Sequence, residues 1–146
     1  PVVMLLLKRS LAQVKNCLLY TSDAVDDEEV IRTSLARFLR ARGFDVTTAD
    51  SGANALVAMQ QERFVAMLSD IRMPEMTGLE LVPQAHAMDP DLAIIMLTAV
   101  NDAPTATEAL GMGAMDYLMK PVELGDLATA LERALHKRAL AIEQRK

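Results

Sequence analysis

Apolar residues recur along the chain with two alternating patterns, one typical of amphipathic helices and one typical of buried strands. Helical spacing runs through residues 28–42 and ends at Gly43, a residue that often terminates helices. The run LAIIML at 92–97 is apolar throughout, as expected of a strand that is buried on both faces. The other predicted helices are 51–63, 79–88, 104–112 and 123–146, and the other predicted strands are 44–48, 64–69 and 114–119.

Strands that alternate with helices of this size predict βα units and a parallel sheet. Counting one further strand directly ahead of Asp26 and Asp27, the pattern predicts an α/β fold. Its core would be a doubly wound five-stranded parallel sheet with helices on both faces.

Composition and charge narrow the class of protein. The chain has 146 residues, is 51% hydrophobic and carries a net charge of −5, which favours a globular domain and argues against a nucleic-acid-binding surface. Cys17 is the only cysteine, which excludes an internal disulfide and suits a reducing compartment. The apolar run 2–7 is too short to span a membrane, and it precedes Lys8 and Arg9 rather than following them, unlike a signal peptide. We therefore expect a cytoplasmic protein that binds neither nucleic acid nor membrane.

Polar side chains follow the predicted strands at the point where each strand ends. Asp26 and Asp27 follow the first strand, Asp70 the third, Thr98 the fourth and Lys120 the fifth. Ligands of open α/β sheets bind beyond the carboxyl ends of the strands, so we expect these side chains to meet at one edge.

Three carboxylates at one edge repel one another unless a cation is present, and their hard oxygen ligands indicate Mg²⁺. The ammonium of Lys120 and the hydroxyl of Thr98 can bind phosphoryl oxygens, which together with the acids predicts phosphoryl transfer. Lys120 is also the only lysine between Lys15 and Lys137, which suggests a specific need for its compact charge. Three further residues are expected to shape the loops at this edge: Pro74, Gly78 and Pro121.

Four segments resemble the response-regulator receiver domains of two-component signalling. They are VDDEE (25–29), MLSDIRMPEMTG (67–78), MLTA (96–99) and DYLMKP (116–121), and they occur in the order of that family. The resemblance covers residues 25 to about 140 and implies a flavodoxin-like fold.

The resemblance also implies roles for individual residues. Asp70 would accept a phosphoryl group from a histidine kinase or a phosphotransfer protein. Asp26 and Asp27 would bind Mg²⁺ together with the Asp70 carboxylate and the backbone carbonyl of Arg72. Lys120 would pair with the phosphoryl group.

A switch is implied in the same way. Thr98 would move toward the phosphoryl group and Tyr117 would move inward in step. The face formed by the fourth helix, fifth strand and fifth helix would then bind a partner or a second copy. On this interpretation the domain catalyses only its own phosphorylation and dephosphorylation and is otherwise not an enzyme.

Two other functions compete with this one. A pseudo-receiver would be an interaction module that has lost phosphorylation, but the acids, Thr98 and Lys120 argue against it. A phosphatase with an aspartyl nucleophile commonly has a second acid two residues past the nucleophile, where this chain has Arg72.

The predicted domain limits are 25–137 for the receiver domain and 138–146 for a helical linker or tail. Residues 1–24 are expected to be extraneous or to fit poorly. Asp23 falls where a central strand should be apolar, and burying its charge without a partner would be costly. The effector that responds to the domain stays unidentified.

Overall fold

The computed structural model describes residues 4–9, 27–49, 51–71, 76–99, 103–120 and 122–145. Within these ranges five strands alternate with five helices. In chain order they are β1 (Met4–Arg9), α1 (Asp27–Ala41), β2 (Phe44–Thr48), α2 (Gly52–Gln61), β3 (Ala66–Asp70), α3 (Gly78–Met88), β4 (Ala93–Thr98), α4 (Ala103–Leu110), β5 (Asp116–Met119) and α5 (Leu124–Gln144).

The predicted doubly wound α/β fold is confirmed. All five strands form one sheet in the order β2-β1-β3-β4-β5, and β4 runs parallel to both β3 and β5. Helices α2, α3 and α4 contribute to a core layer on one face, and α1 and α5 contribute to a layer on the other. Because β3 and β4 are covered on both sides, every residue in them is buried.

One strand departs from the predicted direction. β1 is an interior strand of the sheet, between β2 and β3, but it runs antiparallel to both neighbours. Met4 is opposite Ser69 near the carboxyl end of β3, and Arg9 is opposite Phe44 at the start of β2. The strand predicted directly ahead of Asp26, and Asp23 within it, lie outside the described residues.

Two consecutive leucines explain why Met4–Arg9 can occupy a central position. Leu6 and Leu7 are both fully buried, and they belong to the core layers on opposite faces of the sheet. Alternation of side chains along a strand requires this arrangement. Full burial of a leucine contributes about 1.5–3 kcal/mol, so this pair favours the interior position.

Capping residues and glycines set several boundaries between elements. Ser51 and Thr77 precede α2 and α3, and their side-chain oxygens accept hydrogen bonds from the backbone N–H groups of Asn54 and Glu80. Gly113 has a φ of 131°, a conformation that other residues rarely adopt, in the turn between α4 and β5. The two caps fix where α2 and α3 begin, and the Gly113 turn returns the chain to the sheet after α4.

α5 is continuous from Leu124 to Gln144 and packs through its first half. Its buried residues are Leu127, Ala128, Ala130, Leu131 and Ala134. Near its end, Arg145 forms an ion pair with Asp91 in the turn before β4. The arginine guanidinium lowers the pKa of the Asp91 carboxyl. In the part of the chain described here, none of the helices has the length and apolar character needed to cross a membrane.

Candidate functional site

Asp70 is the last residue of β3, at the carboxyl edge of the sheet. Earlier in the same strand, Met67 and Leu68 are fully buried in opposite core layers, which fixes the register of the strand. The Asp70 side chain keeps 9% of its surface exposed. A mostly buried carboxylate is therefore held at the end of a strand.

Lys120 lies directly after β5 and reaches Asp70 across β4. Its Nζ is 2.5 Å from Oδ2 of Asp70, and its own side chain is 27% exposed. A charge-assisted hydrogen bond in so sheltered a position offsets the cost of burying the carboxylate. The two residues that the sequence predicts to cooperate are thus in direct contact.

Backbone pairing explains why residues 50 positions apart meet. Asp70 is in register with Leu97 on β4, and Thr98 is in register with Met119 on β5. The Lys120 N–H then donates to the Thr98 carbonyl at 2.7 Å, one residue beyond the strand. Parallel strands therefore end together, which brings their terminal residues to one edge of the sheet.

Thr98 is fully buried at the end of β4, between the strands that carry Asp70 and Lys120. Its hydroxyl donates a hydrogen bond to the Ala99 carbonyl at 3.0 Å. This is a local bond to the next residue, and rotation about χ1 would exchange it for another acceptor. Thr98 therefore lies in the predicted place with its hydroxyl engaged away from Asp70.

Gly78 begins α3 and packs closely against the strand that carries Asp70. A Cβ built at this position would lie 2.5 Å from the Met96 methyl and 3.0 Å from the Asp70 carbonyl oxygen. The Gly78 N–H also donates to the Ile71 carbonyl at 2.7 Å. Gly78 thus packs the start of α3 against the end of β3, and its role in shaping the loop stays a prediction.

Tyr117 lies on β5, opposite Met96 on β4. It is half-buried and packs against the core layer formed with α2, α3 and α4. Its backbone N–H donates to Oδ1 of Asp116 at 2.8 Å. Tyr117 is therefore partly buried on the face of the sheet that α4 covers, opposite the face covered by α5.

Several predicted site residues lie outside the described residues, so the structure does not position them: Asp26, Arg72, Pro74 and Pro121. Asp27 is the first residue of α1, and its side chain is not described. Among the described residues no three acidic, histidine or cysteine side chains cluster as metal ligands. The described part of the predicted magnesium site is the Asp70 carboxylate, a hard oxygen donor of the type that Mg²⁺ prefers.

Ser69 is a neighbour of Asp70 that sequence reasoning did not single out. It is fully buried, and its hydroxyl donates to the Asp70 carbonyl at 3.0 Å. That carbonyl is the atom against which Gly78 packs. The sequence carries a signal for this contact: Ser69 is a polar residue within an otherwise apolar strand, and a buried hydroxyl needs a hydrogen-bond partner.

The chain is similar to known proteins along most of its length. A family model for the response regulator receiver domain matches residues 24–132. The transcriptional regulatory protein ZraR of Escherichia coli K12 is 39% identical over 111 residues, which are 76% of this chain and 25% of ZraR. The DNA-binding transcriptional regulator NtrC of the same organism is 40% identical over 76% of this chain and 24% of its own length. The chain thus spans about a quarter of the curated relatives it matches.

Solved structures of receiver domains are also similar to this chain. A response regulator receiver domain protein from Clostridium thermocellum superposes with a TM-score of 0.73 at 30% identity, over 80% of this chain and 94% of that one. The receiver domain of NtrX from Brucella abortus superposes with a TM-score of 0.71 at 30% identity, over 76% of this chain and 94% of that one.

Proposed function

Because the chain belongs to the response regulator receiver domain family, we propose that Asp70 is the residue that accepts the phosphoryl group. The observation that carries this assignment is the 2.5 Å contact between Asp70 Oδ2 and Lys120 Nζ at the carboxyl edge of the sheet. A buried nucleophilic carboxylate and a fixed cation at one point are the two groups that phosphoryl transfer needs most.

In the proposed reaction a carboxylate oxygen of Asp70 attacks the phosphorus of a phosphohistidine. An O–P bond forms and the N–P bond breaks, and the departing imidazole nitrogen keeps the electron pair and takes up a proton. Lys120 neutralises charge on the phosphoryl oxygens, and the hydrogen bond from its backbone N–H to the Thr98 carbonyl at the end of β4 keeps it in place during the transfer. Hydrolysis of the resulting acyl phosphate regenerates the Asp70 carboxylate.

Mg²⁺ is the proposed cofactor. Asp26, Asp27, the Asp70 carboxylate and the Arg72 backbone carbonyl would hold it, and when bound it neutralises negative charge on the phosphoryl group. The chemistry of this donor set suits the ion, since all four ligands are oxygens.

We further propose a cytoplasmic domain whose phosphoryl donor is a histidine kinase or a phosphotransfer protein. Thr98 would rotate from the Ala99 carbonyl toward the phosphoryl group, and Tyr117 would follow. The face of α4, β5 and α5 would then bind a partner or a second copy. On this proposal the domain turns over no separate substrate and binds no nucleic acid or membrane.

Labelling with acetyl phosphate and Mg²⁺ tests the assignment of Asp70. The wild-type chain should gain one acid-stable, base-labile phosphoryl group, and Asp70→Asn should abolish it. Asp116→Asn is the matched control, because Asp116 lies at the opposite end of β5 from Lys120. Undiminished labelling of the Asp70 variant would refute the assignment.

The same assay separates the competing functions. A pseudo-receiver would show no labelling in the wild-type chain. A phosphatase would release inorganic phosphate with many turnovers per chain, and the label would not accumulate in proportion to protein.

A further inference from the structure

Ser69 is a fully buried polar residue on β3, directly before Asp70. Burying a hydroxyl costs free energy unless it is hydrogen-bonded, and the Ser69 hydroxyl donates to the Asp70 carbonyl oxygen at 3.0 Å. The strand positions before it, Met67 and Leu68, are apolar and fully buried. An alanine would fit such a strand without the cost of a buried hydroxyl, so the serine indicates a use for its hydrogen bond.

The Asp70 carbonyl points away from β4. In the same peptide unit, the N–H of Ile71 donates to the Leu97 carbonyl on β4 at 3.3 Å. The C=O and N–H of a trans peptide point in opposite directions, so the Asp70 carbonyl faces the side of β3 on which β1 lies. The described pairing of β3 with β1 runs from Ala66 to Ser69. The Ser69 hydroxyl therefore bonds a carbonyl that lies one residue beyond the described β1 pairing.

Three contacts hold the peptide unit between Asp70 and Ile71. The hydrogen bond to Leu97 is long at 3.3 Å, whereas the bond from the Ser69 hydroxyl is 3.0 Å, so the hydroxyl is the closer restraint. Gly78 packs so tightly on the same carbonyl that a Cβ there would lie 3.0 Å from its oxygen. The orientation of this peptide unit is thus fixed by two hydrogen bonds and one close packing contact.

The same peptide unit is joined to the Cα atom that carries the Asp70 carboxylate. A shift of the unit would move this Cα atom, and with it the carboxylate, relative to Lys120. The Asp70 Oδ2 and the Lys120 Nζ are 2.5 Å apart, so a small displacement would alter their contact. A displacement of about 1 Å in a reacting group can slow an enzymatic reaction roughly 100-fold.

We propose that Ser69 is a positioning residue for phosphoryl transfer, whose hydroxyl fixes the peptide unit after Asp70 and thereby the Asp70 carboxylate. This proposal rests on the phosphoryl transfer proposed above and adds a residue that acts through Asp70. The net contribution of one hydrogen bond corresponds to a roughly three- to tenfold change in rate. Loss of the hydroxyl should slow the phosphorylation of Asp70 by that factor.

Ser69→Ala tests the proposal, because alanine removes the hydroxyl and adds no volume to the strand. The full chain is assayed for its rate of labelling by acetyl phosphate and Mg²⁺, for its melting temperature, and for the ¹³C chemical shift of the Asp70 carbonyl carbon. We expect labelling to be roughly three- to tenfold slower than in the wild-type chain. We also expect the Asp70 carbonyl signal to move upfield, because the carbonyl loses a hydrogen-bond donor.

Ala66→Gly is the matched control. Ala66 is fully buried at the other end of β3, and glycine weakens a strand at such a position. This variant should melt at a lower temperature, yet below that temperature it should keep the wild-type labelling rate and the wild-type Asp70 carbonyl shift. The control separates the position of Asp70 from the stability of the strand.

Labelling of Ser69→Ala at the wild-type rate would overturn the proposal, as would an Asp70 carbonyl signal that does not move. Equal slowing by Ala66→Gly would also overturn it, because the rate would then follow stability rather than position. A wild-type chain that takes up no label would refute the proposed phosphoryl transfer instead. The carbonyl shift would still test the hydrogen bond in that case, so the two failures can be told apart.

Discussion

The contact between Asp70 and Lys120 bears on both the stability of the fold and the proposed phosphoryl transfer. A carboxylate with 9% of its surface exposed is costly to bury alone, and Lys120 supplies the compensating charge. The same ammonium is the charge proposed to pair with the phosphoryl group. Replacement of Lys120 should therefore affect folding and phosphorylation together.

Lys120→Met tests this double role, because methionine retains most of the side chain's length without its charge. We expect a free energy of unfolding lower by about 1–3 kcal/mol, since the Asp70 carboxylate loses its partner. Urea denaturation measures the change. In the double variant with Asp70→Asn the loss should shrink, because no buried charge is left unpaired. An equal loss in both backgrounds would show that the pair does not stabilise the fold.

Gly78 carries the second prediction at the scale of single residues. Gly78→Ala places a methyl group against Met96 and the Asp70 carbonyl, so we expect destabilisation by about 1–3 kcal/mol and slower phosphorylation. Gly125→Ala is the matched control, because nothing lies within 4 Å of a Cβ there. The control should be neutral or up to about 1 kcal/mol more stable, since alanine favours helix. Thermal denaturation of both variants measures their stabilities. A Gly78→Ala variant as stable as the wild-type chain would contradict the close packing at this position.

At the scale of elements, the burial of α5 changes along its length. Its first half is buried against the sheet, while the segment after Lys137 has exposed residues such as Leu140. The ion pair between Arg145 and Asp91 joins its end to the turn before β4. The role of residues 138–146 as a linker stays a prediction. Among the described residues, the ion pair with Asp91 is a contact that can restrain the end of this segment.

Removing the carboxylate should release the last turn of α5. In Asp91→Asn we expect faster amide exchange after Lys137 at neutral pH, measured by mass spectrometry or NMR. Glu132→Gln is the control, since its exposed pair with Arg42 lies earlier in the helix. Exchange unchanged in Asp91→Asn would show that the ion pair does not restrain the helix end.

The pH dependence of the same contact has a definite sign. Arg145 lowers the pKa of Asp91 below its usual 3.8. The stabilising contribution is therefore fully present above that usual value, and it is lost as the pH falls through the lowered pKa. The Arg145 side chain is 55% exposed and that of Asp91 is 25% exposed, so solvent screens the pair and the effect should be confined to the end of α5.

For the whole molecule, the central question is which segment completes the sheet. β1 unites the two core layers through Leu6 and Leu7, although it is separated from α1 by residues 10–26. If this strand is integral, its leucines should matter as much as those of β3 or β4.

Leu7→Ala should lower the free energy of unfolding by about 2–5 kcal/mol, the usual cost of removing a buried leucine side chain. Leu140→Ala is the control, because that side chain is 45% exposed and its loss should change stability by less than about 0.5 kcal/mol. Chemical denaturation of both variants gives the comparison. Equal stability of the two would mean that Met4–Arg9 is not part of the core.

Much of the fold and part of the site follow from local sequence. The apolar runs of β3 and β4 and the helical spacing between them indicate parallel strands. Asp70 and Thr98 are the last residues of these two strands, and Lys120 directly follows β5. Such features are local: burial on two faces demands an apolar run, and chain direction then assigns the residues after each run to one edge.

Tertiary structure alone decided the identity and direction of the central strand and the contact made by Lys120. A central slot is filled by whichever apolar segment completes both core layers, and that competition depends on the whole sheet rather than on local propensity. Met4–Arg9 fills it in reverse, which no periodicity in the segment foretells. Similarly, spacing places Lys120 at the right edge, but only the register of β4 with β5 brings its Nζ to Asp70.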